Sequence, residues 1–200
     1  MGLWQSQEAC HVQHPHLRAM DPERAGGSNA GTMLVRALRR LRVFLLRPGL
    51  PLWRHALLAW PLALLPSLLL VAAAMGVLLA LGLDPRAYGP PSRQVTAAEF
   101  AGAVIMAPLV ETPLLGLSLA VLGRWVRRRG RLLLAAALLW GLLHGAQAPL
   151  WFVGSAWSFV ILAGLYRAWR PRSFAHAYLA AGLPHALINL SAMLAIMSSA

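Results

Sequence analysis

The stretch that decides the fold is Ala97-Ala-Glu-Phe-Ala-Gly-Ala-Val-Ile-Met-Ala-Pro-Leu-Val-Glu111-Thr-Pro-Leu-Leu-Gly-Leu-Ser-Leu-Ala-Val-Leu122. Its length and apolar character suit a helix crossing a bilayer, which needs roughly 20 apolar residues. Yet Glu111 is sunk in its interior, the one acid so placed in any apolar run of the chain. An acidic side chain at the bilayer centre costs about 2.5 to 3.5 kcal/mol on insertion scales. Residues of this kind face a bundle interior, find partners and do chemistry.

Four further apolar runs cover about 56 to 83, 132 to 150, 151 to 166 and 174 to 195. The chain is 58% hydrophobic and 12% charged, with mean hydropathy +0.60, too apolar for an ordinary soluble domain. The expected fold is all-α: a polytopic transmembrane helix bundle of about five spans at 56 to 195. The fourth run is short for a span, and Pro149 blurs its boundary with the third. Residues 33 to 48 interleave Leu34, Leu38, Leu41 and Leu45 with Arg36, Arg39, Arg40 and Arg42 and stop at Pro48, the pattern of an amphipathic helix lying on headgroups. Residues 1 to 32 lack apolar periodicity and are expected to form a disordered cytosolic tail. Its Cys10, His11, His14 and His16 lack a fixed-spacing metal motif, so they are read as solvated, and one cysteine rules out an internal disulfide framework.

The net charge of +12 comes from 18 basic residues, all Arg, against six acids. These arginines flank apolar spans, so lipid headgroups are their expected partners, not nucleic acid. Six lie from Arg36 to Arg54, five from Arg124 to Arg131, and Arg167, Arg170 and Arg172 follow. The positive-inside rule puts those segments in the cytoplasm, with the N-terminus in and the C-terminus out. Lysine-free composition suggests a bacterial source and hence an inner-membrane protein.

Two other runs carry polar residues: His144, four after Trp140, and His185 with Asn189. A spacing of four keeps each pair on one helix face. Counted from the cytoplasmic ends at Leu122, Leu132 and Phe174, residues Glu111, His144 and His185 lie about 17, 18 and 17 Å deep. Each could alone be a structural hydrogen-bonding group between helices. Together, at one depth, they suggest a single polar site.

In order and spacing, Ala107-Pro108-Leu109-Val110-Glu111, Trp140 to His144 and His185 to Asn189 resemble the CPBP family of intramembrane endopeptidases, also called Abi or CAAX prenyl protease 2-like. The resemblance covers roughly residues 97 to 195. The family pattern is A-P-x-x-E-E-x-x-x-R, an aromatic residue with His four later, and H-x-x-x-N. Here Thr112 replaces the second Glu and Gly116 stands in place of Arg; a familiar E-T variant usually carries Gln there. The resemblance implies Glu111 as general base on a water held with His144, and His185 with Asn189 stabilising the oxyanion of a membrane-associated peptide or protein substrate. No cofactor is expected. Zinc held by Glu111, His144 and His185 is the alternative, set lower because a single acid cannot readily be both ligand and base. The rival function is a catalytically silent member acting as a binding or scaffold partner, motivated by Thr112 and Gly116. A carrier ranks third, for want of an internal repeat.

Overall fold

The computed structural model describes residues 29–90 and 95–198, so the expected tail, with Cys10, His11, His14 and His16, lies almost wholly outside the described residues. Every regular element among them is helical: α1 (Asn29–Leu46), α2 (Leu52–Ala80), a 3-10 turn (Pro85–Tyr88), α3 (Ala97–Ala101), a π-helical segment (Gly102–Met106), α4 (Ala107–Leu122), α5 (Arg129–Gly145), α6 (Trp151–Trp169) and α7 (Phe174–Ser198). The chain divides into two compact units, Met1–Leu38 and Arg39–Ala200. The described part of the first is the beginning of α1, a helix that starts four residues before the expected Met33 and stops two before Pro48.

In the second unit α6 is central, packed against α5, α2 and α7. It is buried from Ile161 to Leu165 without a break, so it has no solvent or lipid face over that stretch. Leu45, near the end of α1, is buried and packs against Gly164 of α6. Three helices are long and apolar enough to cross a membrane: α2, the continuous Ala97–Leu122 and α7. Only 11% of the most apolar window of α2 is covered by protein, which leaves its Leu-rich surface for a membrane. Helices α5 and α6 do not meet that measure, and α5 ends at Gly145 instead of running on toward Leu150. His144 therefore sits in the last turn of α5, not in mid-span as the apolar run suggested.

The α5–α6 pairing rests on two glycines one turn apart. A Cβ on Gly141 would lie 2.9 Å from Ala156 Cβ, and one on Gly145 would lie 2.9 Å from Phe152 Cβ. Small residues at a spacing of four let helix backbones approach, and dispersion contacts then replace the water-driven force missing in lipid. The turn between the helices is tied to the 3-10 turn by Leu150 N–H donating to the Tyr88 carbonyl at 3.0 Å.

Side chains repair what prolines take from the helices. Pro66 cannot donate to the Leu62 carbonyl, and the Trp157 indole of α6 donates to it instead at 2.9 Å. Nearby, Ser67 donates to the Gly154 carbonyl at 2.8 Å and lies 2.9 Å from Ser158 Oγ. Trp60 of α2 donates to Ser191 of α7 at 3.2 Å. Thr96 and Glu99 form a reciprocal capping box at the start of α3, so Glu99 has a local task at the edge of its apolar run. At the basic end of the bundle, the buried His55 accepts a hydrogen bond from Trp169 at 2.9 Å and meets Phe44 edge to face.

Replacing Gly141 by Val should overpack this pairing and cost about 1 to 3 kcal/mol. Thermal unfolding of the purified protein in detergent checks it: an unchanged midpoint would mean that α5 and α6 do not touch at these glycines.

Candidate functional site

Glu111 lies in the second turn of α4, His144 in the last turn of α5 and His185 near the middle of α7. The fold brings all three together. Glu111 Oε2 is 3.7 Å from His144 Nε2 and 3.7 Å from His185 Nε2. The side chains are 24%, 21% and 6% exposed respectively, so Glu111 is turned neither fully outward nor fully inward. Among the described residues Glu111 Oε2 is buried and has no hydrogen-bond partner. A separation of 3.7 Å exceeds direct hydrogen-bonding distance, about 2.7 to 3.2 Å. It is short enough for one small polar molecule to touch the carboxylate and both rings.

Each ring is held from behind. His144 Nδ1 donates to the Trp140 carbonyl at 2.8 Å, the residue one turn earlier. That bond fixes the tautomer: a neutral His144 presents the lone pair of Nε2 to Glu111, so a proton or a donor has to lie between the two acceptors. Trp140 is itself fixed, donating through its indole to Ser118 Oγ at 3.1 Å, while Ser118 donates to the Leu115 carbonyl at 2.8 Å. Phe159 of α6 stacks on Trp140 with ring centroids 4.8 Å apart, and its ring lies 5.3 Å from His144 and 5.7 Å from His185. It is the apolar wall against which both imidazoles rest.

Asn189 is placed differently. Its amide nitrogen donates to the Ala103 carbonyl at 2.7 Å, within the π-helical segment that leads into α4. In that segment the Ala107 N–H reaches back five residues to the Gly102 carbonyl. The next bond in that register would come from residue 108 to Ala103, but residue 108 is proline and has no N–H. Pro108 thus orphans the Ala103 carbonyl, and Asn189, one turn beyond His185, satisfies it. One amide hydrogen of Asn189 remains for another acceptor.

Thr112 and Gly116 have structural accounts. Thr112 is buried and faces α7 where a Cβ on Gly182 would lie 3.5 Å from its hydroxyl. A Cβ on Gly116 would collide with the Tyr166 hydroxyl oxygen, so Tyr166 fills the place of a side chain there. Ser118 was legible in principle, since it is seven residues past Glu111 and on the same helix face. Phe159 carried no signal, because an apolar residue in an apolar run does not announce which partner it meets. His176 stacks on Trp169 at 5.9 Å and bonds to Ser173 at 2.7 Å.

As they stand, no three His, Cys, Asp or Glu side chains among the described residues form a group that could hold a metal ion, the Glu111, His144 and His185 set included. No family model matches the chain, and neither a curated protein nor a solved structure matches it.

The Asn189–Ala103 bond should cost about 1 to 2 kcal/mol when removed by Asn189→Ala, because it leaves a half-buried carbonyl unpaired. In a Pro108→Ala background, where an N–H is restored, the same substitution should cost markedly less. A double-mutant cycle on unfolding free energy measures the coupling; strict additivity would show that Pro108 and Asn189 are unrelated.

Proposed function

We propose that the chain is an intramembrane endopeptidase of the CPBP type, hydrolysing a peptide bond in a membrane-associated peptide or protein. The observation that carries the reading is the Glu111 carboxylate oxygen, buried without a hydrogen bond at 3.7 Å from two imidazole nitrogens. A purely structural carboxylate would be expected to spend its acceptors on hydrogen bonds, since an unpaired buried polar group costs about 1 to 3 kcal/mol. Strain of this sort is retained where a substrate or a reacting water completes the set.

In the proposed reaction a water is held between Glu111 and His144, with His144 kept in register by its bond to Trp140. Glu111 takes a proton as the water oxygen attacks the scissile carbonyl. His185, donating through Nε2, and the remaining amide hydrogen of Asn189 stabilise the oxyanion. The proton then passes to the leaving amine as the C–N bond breaks. Phe159 and Trp140 narrow the site on one side and lower its polarity. No step requires a metal; activity lost to a chelator and restored by zinc would move Glu111, His144 and His185 from base, water acceptor and oxyanion donor to ligands.

The surrounding assembly belongs to the same reading: five spans with α5 and α6 as an inner hairpin, α1 on the headgroups, the N-terminus cytoplasmic and the C-terminus outside, in a bacterial inner membrane. Its support is the alternation of arginine-rich and arginine-poor connections along the chain. The second reading, a silent member that binds a membrane partner, draws on Thr112 and Gly116, which leave the acid and base pair without the charged neighbours of the family pattern.

Glu111→Gln separates the two. The enzyme reading expects cleavage of a membrane-peptide library by wild type and a loss of about 10²-fold or more in the variant. Unfolding stability should be unchanged or raised, because the amide relieves an unpaired carboxylate. Destabilisation together with no cleavage by either protein would favour a structural carboxylate in a silent scaffold.

A further inference from the structure

The C-terminal ends of α4 and α6 enclose a cleft of about 450 Å³, outside the Glu111 site. Its apolar floor is Gly116, Leu119 and Ala120 of α4; its polar wall is Tyr166, Arg167 and Arg170 of α6. The clearance over Gly116 is obligatory. Any Cβ at that position would strike the Tyr166 hydroxyl, so glycine alone lets the phenol lie flat against the α4 backbone. Among the described residues the Tyr166 hydroxyl has no hydrogen-bond partner, and neither the Arg167 nor the Arg170 guanidinium has an acidic partner or a hydrogen bond, Arg170 using only its backbone N–H, on the Tyr166 carbonyl at 2.9 Å. Arg172, in contrast, is spoken for: it lies over the Trp169 ring at 4.3 Å and reaches the Pro48 carbonyl at 3.5 Å.

We propose that this cleft binds the phosphate of an anionic membrane lipid, with the headgroup between Arg167, Arg170 and the Tyr166 hydroxyl and the upper acyl chain along Leu119 and Ala120. Two helix C-termini converge here, and their carbonyl ends repel an anion. Attraction must come from the guanidiniums, whose fork geometry suits phosphate oxygens. A soluble anion would gain only that charge contact; a lipid also covers the apolar floor, and the cleft lies at the basic end of the bundle, where headgroups sit. Gly116 is five residues beyond Glu111, about 7.5 Å along the helix, so the lipid would flank the Glu111 site without entering it.

The test titrates purified wild-type protein with phosphatidylglycerol in mixed micelles and follows lipid adducts by native mass spectrometry. One phosphatidylglycerol should be retained in preference to phosphatidylcholine. Arg167→Gln with Arg170→Gln should weaken its binding at least about tenfold. Tyr166→Phe, which keeps the ring and removes only the hydroxyl, should weaken it about threefold. Arg127→Gln with Arg128→Gln removes equal charge from the same end of the bundle and should leave binding unchanged. Because Arg170 is exposed, the single Arg170→Gln variant also reads the site if the pair fails to fold. Equal losses in the two arginine pairs, equal retention of phosphatidylcholine, or displacement of the lipid by inorganic phosphate would each overturn the lipid assignment.

Discussion

A backbone carbonyl freed inside an apolar bundle has no water to turn to, and that constraint governs how these helices are assembled. Prolines interrupt α2, α4 and α7, and Pro108 falls where a π-helical segment has already shifted the hydrogen-bond register. Each lost N–H sets a demand for a donor from elsewhere. Trp157 meets the demand at Leu62 and clamps α6 to α2; Asn189 meets it at Ala103 and clamps α7 to the segment before α4. The second clamp also sets the rotation of α7 about its axis. With Asn189 directed at Ala103, His185 one turn earlier is carried to the Glu111 carboxylate.

The polar centre is held from several directions with few charged groups. The bond from His144 to Trp140, the bond from Trp140 to Ser118 and the stacking of Trp140 on Phe159 form one continuous support beneath a single imidazole. The opposite imidazole rests edge-on against the same phenylalanine. Such aromatic walls fix ring positions without adding competing donors, so the Glu111 oxygen stays unpaired in the middle. A rigid shell around an unsatisfied acceptor is a poor device for stability and a suitable one for capturing a small polar molecule. Thr112 and Gly116 fit this economy: one lies against Gly182 of α7, and the other yields its volume to Tyr166.

Much of this was legible in the residues. Apolar length located the helices, and Pro48 with the arginine clusters marked the breaks between several of them. Glu111, His144 and His185 stood out because ionisable groups are costly in apolar runs. The true end of α5 was not legible, since residues 146 to 150 are nearly as apolar as the helix before them. Nor was the partner of Asn189, because a π-helical register depends on how the two flanking helices are held and not on the composition of Gly102–Met106. Ser118 and Phe159 looked like ordinary members of their helices until the neighbouring helix was known.

The order of residues by itself determined an all-helical chain, the basic borders of its apolar runs and a short list of buried polar side chains, because helix period, proline chemistry and the cost of burying charge act locally. Only the tertiary structure decided that Glu111 lies 3.7 Å from both imidazoles, that Asn189 closes a gap left by Pro108, and that Tyr166 takes the space above Gly116. Those facts depend on the rotation and axial offset of one helix against another. Interhelical contacts at Gly141, Gly145 and Gly164 set them, and such contacts join residues far apart in the chain.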